Sequence, residues 1–161
     1  MIKKTRTLTQ ETDTQKLAVH IAQQLKPKLI DPNFRIQIAL EGDLGAGKTT
    51  FTRHLLSALG HIGRVKSPTY TLCEPYELSN HEHVTSLNHF DLYRMKYPTE
   101  WDDAGFRDTL SQPGISIIEW PQKAEGTLPE FDITLVFELI DEKKRHIHLT
   151  GHTSLGQELV T

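Results

Sequence analysis

Apolar positions change their period several times along this chain, and each change marks a new element. Between residues 10 and 25, Leu17, Ile21 and Leu25 recur at every fourth position, with Thr14, Ala18 and Ala22 on an adjoining row. That spacing lines one stripe of a helix, and Pro27 stops it. The stretch FRIQIALEG then alternates, with Phe34, Ile36, Ile38 and Leu40 on one side, and predicts a strand that runs straight into glycines. Beyond them, TTFTRHLLSALG returns to helical spacing through Phe51, Leu55 and Leu59, with Gly60 placed as the stop.

In the second half, SPTYTLCEPYEL reads as extended, because Pro68 and Pro75 disfavour helix in the residues before them. SNHEH is a polar turn, and VTSLNHFDLYR is a strand returning from it. Thr99 with Asp102 predicts the N-cap pair of a short helix ending near Gly105. GISIIEW is a short apolar strand that closes on an acid, and FDITLVFELI with RHIHLT predicts a hairpin around DEKK. Helix, strand, glycine turn, helix and then further strands predict an α/β domain of three layers around a central sheet. The strands flanking the glycine turn are expected to run parallel, and the late hairpin to be antiparallel at an edge. No repeat, low-complexity segment or long linker divides the chain, so residues 1–161 read as a single domain.

Composition narrows the class. With 37% apolar and 24% charged residues, the chain has the makings of a packed core rather than of a disordered segment. A formal net charge of -3 argues against a large basic face for nucleic acid, which needs clustered Lys and Arg. The single cysteine, Cys73, rules out an internal disulfide and reads as a small strand residue, in keeping with a reducing compartment. The opening MIKKTRTLTQ has no apolar stretch behind its positive charge, and no segment approaches the roughly 18 apolar residues that span a bilayer. The expectation is a cytoplasmic protein with no membrane partner.

The glycines carry the chemistry. GDLGAGKT, Gly42 to Thr49, fits the phosphate-loop pattern of Gly, four residues, then Gly-Lys-Ser/Thr. Its glycines let successive N–H groups turn inward onto phosphate oxygens, and the helix that follows adds its positive dipole end. Lys48 can reach the β- and γ-phosphates, and the Thr49 hydroxyl is the expected magnesium ligand. Asp43, Leu44, Gly45, Ala46, Gly47, Lys48, Thr49 and Thr50 are therefore the residues expected around ATP and Mg2+.

A nucleotide-bound magnesium generally has a carboxylate at the end of a neighbouring strand. Two acids fit, Glu119 at the end of ISII first and Asp91 after Phe90 second, while most other acids sit in polar stretches. Of the nine histidines, His81 and His83 read as turn residues and His146 and His148 as one face of a strand, since no Cys or carboxylate completes a zinc spacing in the sequence. Trp101 and Trp120 read as packing residues.

Taken in order, GDLGAGKTTFTRHLLSALG, SPTYTL, HFDLYR and IIEWPQ, from about Glu11 to Pro121, resemble the TsaE (YjeE-type) ATPase family of tRNA threonylcarbamoyladenosine biosynthesis. The resemblance implies a P-loop NTPase domain with a central mixed, mainly parallel sheet and antiparallel edge hairpins. It implies slow ATP hydrolysis that drives or resets a complex with TsaB and TsaD, with tRNA met indirectly through that complex. It places Thr49, Asp91 and Glu119 around magnesium and makes Lys48, Asp91 and Glu119 the catalytic set, with Asp91 orienting the attacking water. Glu11 and Thr14 would lie near the nucleotide base, Trp120 would flank the site, and Ser67, Thr69 and Thr71 would form a switch-like segment near the γ-phosphate. Cys73 departs from the family's usual aliphatic residue, and NHEHVTS makes a longer turn. Arg94 is a candidate arginine finger or an ion-pair partner. The competing classes are a small-molecule kinase, disfavoured by the lack of an Arg-rich lid after the loop helix, and a non-catalytic subunit ordered by ATP.

Overall fold

The computed structural model describes residues 1–65, 68, 71–79 and 83–161. Ser67, Thr69 and the tip of the SNHEH turn, His81 included, lie outside the described residues. The strands are β1 (Ile2–Leu8), β2 (Arg35–Gly42), β3 (Cys73–Ser79), β4 (Val84–Asp91), β5 (Gly114–Glu119), β6 (Ile133–Leu139) and β7 (Arg145–Gly151). The helices are α1 (Glu11–Leu25), α2 (Lys48–Ala58), α3 (Thr99–Asp103), α4 (Phe106–Ser111) and α5 (Ser154–Val160). The described strands form one sheet in the order β1-β7-β6-β2-β5-β4-β3. Its centre, β6-β2-β5-β4, is parallel, while β3 against β4 at one margin and β7 and β1 at the other are antiparallel.

The central strands are buried on both faces, as parallel strands covered by helices must be: all six residues of β5 are buried. Alternation then sorts them. Ile115 and Ile117 join Leu87, Ile36, Ile38, Phe51 and Leu55 in the core beneath α1 and α2. Ile118 faces the other way and packs with Phe90, Trp101 and Leu110. On that second face Phe90, Trp101 and Phe106 touch pairwise with ring centroids 5.2 Å apart, which pins α3 and α4 to the sheet. Such aromatic pairs contribute about 0.5–1.5 kcal/mol each beyond simple burial.

Three details differ from the sequence reading. The N-cap of α3 is Pro98, with Thr99 already in the first turn and no side-chain cap, so Thr99 and Asp102 do not form a capping pair. The β6–β7 hairpin does not end the sheet, because β1 pairs along the outer side of β7. Neither β1 nor α5 has the apolar periodicity that announces an element: β1 is exposed through Thr5, and α5 buries Gly156, Leu159 and Val160 only. Among the described residues no helix is long and apolar enough to cross a membrane.

Candidate functional site

The site forms where β2 ends and α2 begins. Gly47 is the N-cap of α2 with φ of 111°, a region that side chains with a Cβ avoid. Gly42 and Gly45 also have positive φ, and the turn is closed by Ala46 N–H donating to Asp43 O at 3.1 Å. The loop thereby presents its main chain at the N-terminus of an eleven-residue helix, where unpaired amides and the dipole favour an anion. Lys48 follows at once. Its ammonium donates to the carbonyls of Gly42 and Asp43, the latter at 3.0 Å, and sits 4.5 Å from the centre of the Trp120 ring. Burial holds its pKa below the ordinary lysine value, opposed by the charges of Glu119, Asp91 and Asp43.

The sheet delivers the two acids. In the parallel β4–β5 ladder Asp91 stands directly opposite Glu119, at the C-terminal ends of both strands. Glu119 is 2% exposed and accepts a hydrogen bond from the Thr49 hydroxyl, with its carboxylate oxygens at 3.3 and 3.4 Å. On its other side His89, fully buried, donates from Nε2 to Glu119 Oε2 at 2.5 Å, while His89 Nδ1 has no hydrogen-bond partner among the described residues. Asp91 Oδ1 accepts the Tyr93 amide at 3.1 Å. Burial raises the Asp91 pKa and the Tyr93 amide works against the rise, with the Glu119 charge adding to it. Trp120 follows Glu119 in the left-handed region with φ of 58°, a costly conformation for an aromatic residue, and its ring lies 4.9 Å from that of Tyr93.

A cavity of about 430 Å³ joins these groups, lined by Leu44, Gly45, Gly47, Lys48, Thr49, Thr50, Asp91, Tyr93, Arg94, Glu119, Trp120 and Arg145. Lys48, Thr49, Asp91 and Glu119 are thus brought together as the sequence reading expects. Glu11 and Thr14 are not among the lining residues. They lie in the first turns of α1, where the Glu11 carboxylate is 3.2 Å from His54 Nε2 on α2 and Thr14 is buried. Thr71 is exposed, with its hydroxyl 3.3 Å from Glu74.

Two contributors were not singled out from the sequence. His89 carries a signal in retrospect: two positions before Asp91, it shares Asp91's face of β4. Arg145 carries none, since only the β6–β7 hairpin brings it to the loop, where Nη2 lies 3.4 Å from Gly45 O. The donor set at the acids, one hydroxyl and two carboxylates, is the hard-oxygen chemistry that suits magnesium and not a soft metal.

The family model described as "Threonylcarbamoyl adenosine biosynthesis protein TsaE" matches residues 8–147. The chain belongs to the TsaE family. That span includes the glycine loop, Asp91 and Glu119. The TsaE of Haemophilus influenzae is 44% identical over 126 residues, covering 78% of this chain and 77% of the relative. The TsaE of Rickettsia conorii is 36% identical over 154 residues, 94% of this chain and 81% of the relative. Among solved structures, YdiB of Bacillus subtilis superposes with a TM-score of 0.73 at 26% identity, over 98% of this chain and 91% of YdiB. The likeness to YdiB reaches past the family match to take in β1 and α5, the two elements least visible in the sequence.

Proposed function

We propose that this TsaE-family protein binds ATP with magnesium at the Gly42–Thr49 loop and hydrolyses it slowly, in the service of tRNA threonylcarbamoyladenosine biosynthesis with TsaB and TsaD in the cytoplasm. One observation carries the reading: Lys48, Thr49, Asp91 and Glu119, drawn from three separate elements, converge on a single cavity at the mouth of a glycine loop.

The loop amides and the Lys48 ammonium hold the triphosphate, and they gain strength from a setting in which Lys48 is almost wholly withdrawn from water. Thr49, Glu119 and Asp91 are the residues that hold magnesium, which when bound neutralises charge on the phosphates. His89 fixes the Glu119 carboxylate through Oε2, and the Thr49 hydroxyl lies within 3.4 Å of both of its oxygens. Asp91, at the cavity wall, accepts a hydrogen bond from the attacking water and orients it in line with the γ-phosphate. Trp120 stacks over the lysine and shields it. The complex with TsaB and TsaD uses the ATP cycle, and tRNA is met through that complex.

Release of inorganic phosphate from ATP, measured without any acceptor molecule, tests this. The wild-type chain releases phosphate slowly and needs magnesium. Glu119→Gln keeps nucleotide binding and loses at least about a hundredfold in rate. Unchanged turnover in Glu119→Gln, or phosphate transfer that requires an added acceptor, contradicts the reading.

A further inference from the structure

A second cluster of ligating groups lies on the solvent side of the β6–β7 hairpin, away from the glycine loop. In the antiparallel register Glu138 stands directly opposite His146, and His148 is the next residue along the same face of β7. Glu138 Oε2 and His148 Nε2 are 2.9 Å apart. One ligand atom from each of Glu138, His146 and His148 lies within 4.8 Å of the others. The sequence alone offers the two imidazoles with no carboxylate at a recognised zinc spacing, because Glu138 is supplied across the hairpin.

We propose that Glu138, His146 and His148 form a binding site for a divalent transition metal of the zinc class. Two ligands on one tetrahedral zinc, each about 2.0–2.1 Å from the ion, are themselves roughly 3.3 Å apart. The Glu138–His148 pair is already close to that separation, and side-chain movement on the order of 1–2 Å brings His146 in. The second nitrogen of His148 is also provided for: Nδ1 lies 3.0 Å from the Thr5 hydroxyl on β1. With Nδ1–H donating to Thr5, the Nε2 lone pair is left for the metal, which is the tautomer that a ligating histidine needs. All the participants sit on regular strands whose register fixes their spacing. Two imidazoles and one carboxylate are a zinc set with an open position, and the Glu138 and His148 side chains are both exposed, so an ion reaches the cluster from solvent. This differs from the hard-oxygen set at Thr49, Asp91 and Glu119 and does not depend on the nucleotide reading.

Calorimetric titration of the full chain with zinc chloride tests the site, alongside Glu138→Gln, His146→Ala and His148→Ala, with His20→Ala as the control. The expected result is saturable binding that falls at least about tenfold in each of the three variants and is unchanged in the control. Cobalt(II) chloride supplies a second readout, a visible absorption band seen in the wild type and lost in the variants while their circular dichroism is retained. Zinc affinity equal to wild type in all three variants overturns the proposal, placing any bound zinc elsewhere. So does the absence of saturable binding up to on the order of 1 mM, which reduces the cluster to a cross-strand ion pair.

Discussion

His89 decides how Glu119 behaves. A carboxylate so deeply buried needs donors, and the His89 ring and the Thr49 hydroxyl supply them. Replacing His89 with Leu leaves that carboxylate short of a partner, which costs about 1–3 kcal/mol of stability. It also frees the side chain to turn, and loss of such a supporting hydrogen bond weakens metal affinity by about 10–100-fold. His89→Gln, which can still present a donor, recovers part of the loss. The magnesium dependence of ATP hydrolysis reads both variants, and a His89→Leu curve matching wild type contradicts the role. A second prediction concerns Cys73. Burial, aided by the Glu74 charge, pushes its thiol pKa up to about 12. Thiolate is the reactive form, so iodoacetamide at pH 8 alkylates the folded chain more slowly than the denatured chain, by on the order of a hundredfold or more. Equal rates contradict the raised thiol pKa of this half-buried side chain.

Among the elements, α1 shows how a local charge becomes a pH dependence. Asp13 in its first turn accepts from the Thr9 amide at 2.9 Å, the Thr9 hydroxyl at 3.0 Å and the Gln10 amide at 3.2 Å. The Thr9 amide above all, then the Thr9 hydroxyl, hold its pKa below the ordinary aspartate value. A depressed folded pKa means stability that is complete above the unfolded value and lost as pH falls through the folded one. Asp13→Ala therefore lowers the Tm at pH 7, and the gap to wild type closes as pH drops below about 4. A gap of equal size at pH 7 and pH 3 contradicts the account. The elements legible in the sequence were chiefly those with strong periodicity on a buried face, α1, β2, α2, β5 and the β6–β7 hairpin. Proline and turn signals gave β3 and β4, and the position of α3, though not its cap, was also read. The illegible ones lacked it. β1 is an edge strand of Lys, Thr and Arg stabilised by pairing with β7 rather than by burial. α4 is short and held by Phe106 against Phe90 and Trp101, a contact that no local spacing announces.

For the molecule as a whole, topology makes the site. β2, β5 and β4 run parallel, so Gly42, Glu119 and Asp91 end at one margin of the sheet. Ligands of open α/β sheets gather at that margin. Sequence could name the loop because its residues are contiguous, and could name Glu119 and Asp91 because each closes an apolar strand. It could not set them opposite one another, since that follows from the register of two strands almost thirty residues apart. Arg145 and the Glu138–His148 contact are further still from local signals, because both depend on the pairing of the last hairpin. The central claim is that this margin holds Mg-ATP. Calorimetric titration of the full chain with ATP, with and without magnesium chloride, tests it most directly when set beside Lys48→Ala. The account predicts one nucleotide bound per chain, tighter with magnesium, and a loss of at least about tenfold in Lys48→Ala, where a charge-assisted contact to phosphate is removed. Lys48→Ala binding ATP as tightly as wild type, or a wild-type chain that binds none, would contradict it.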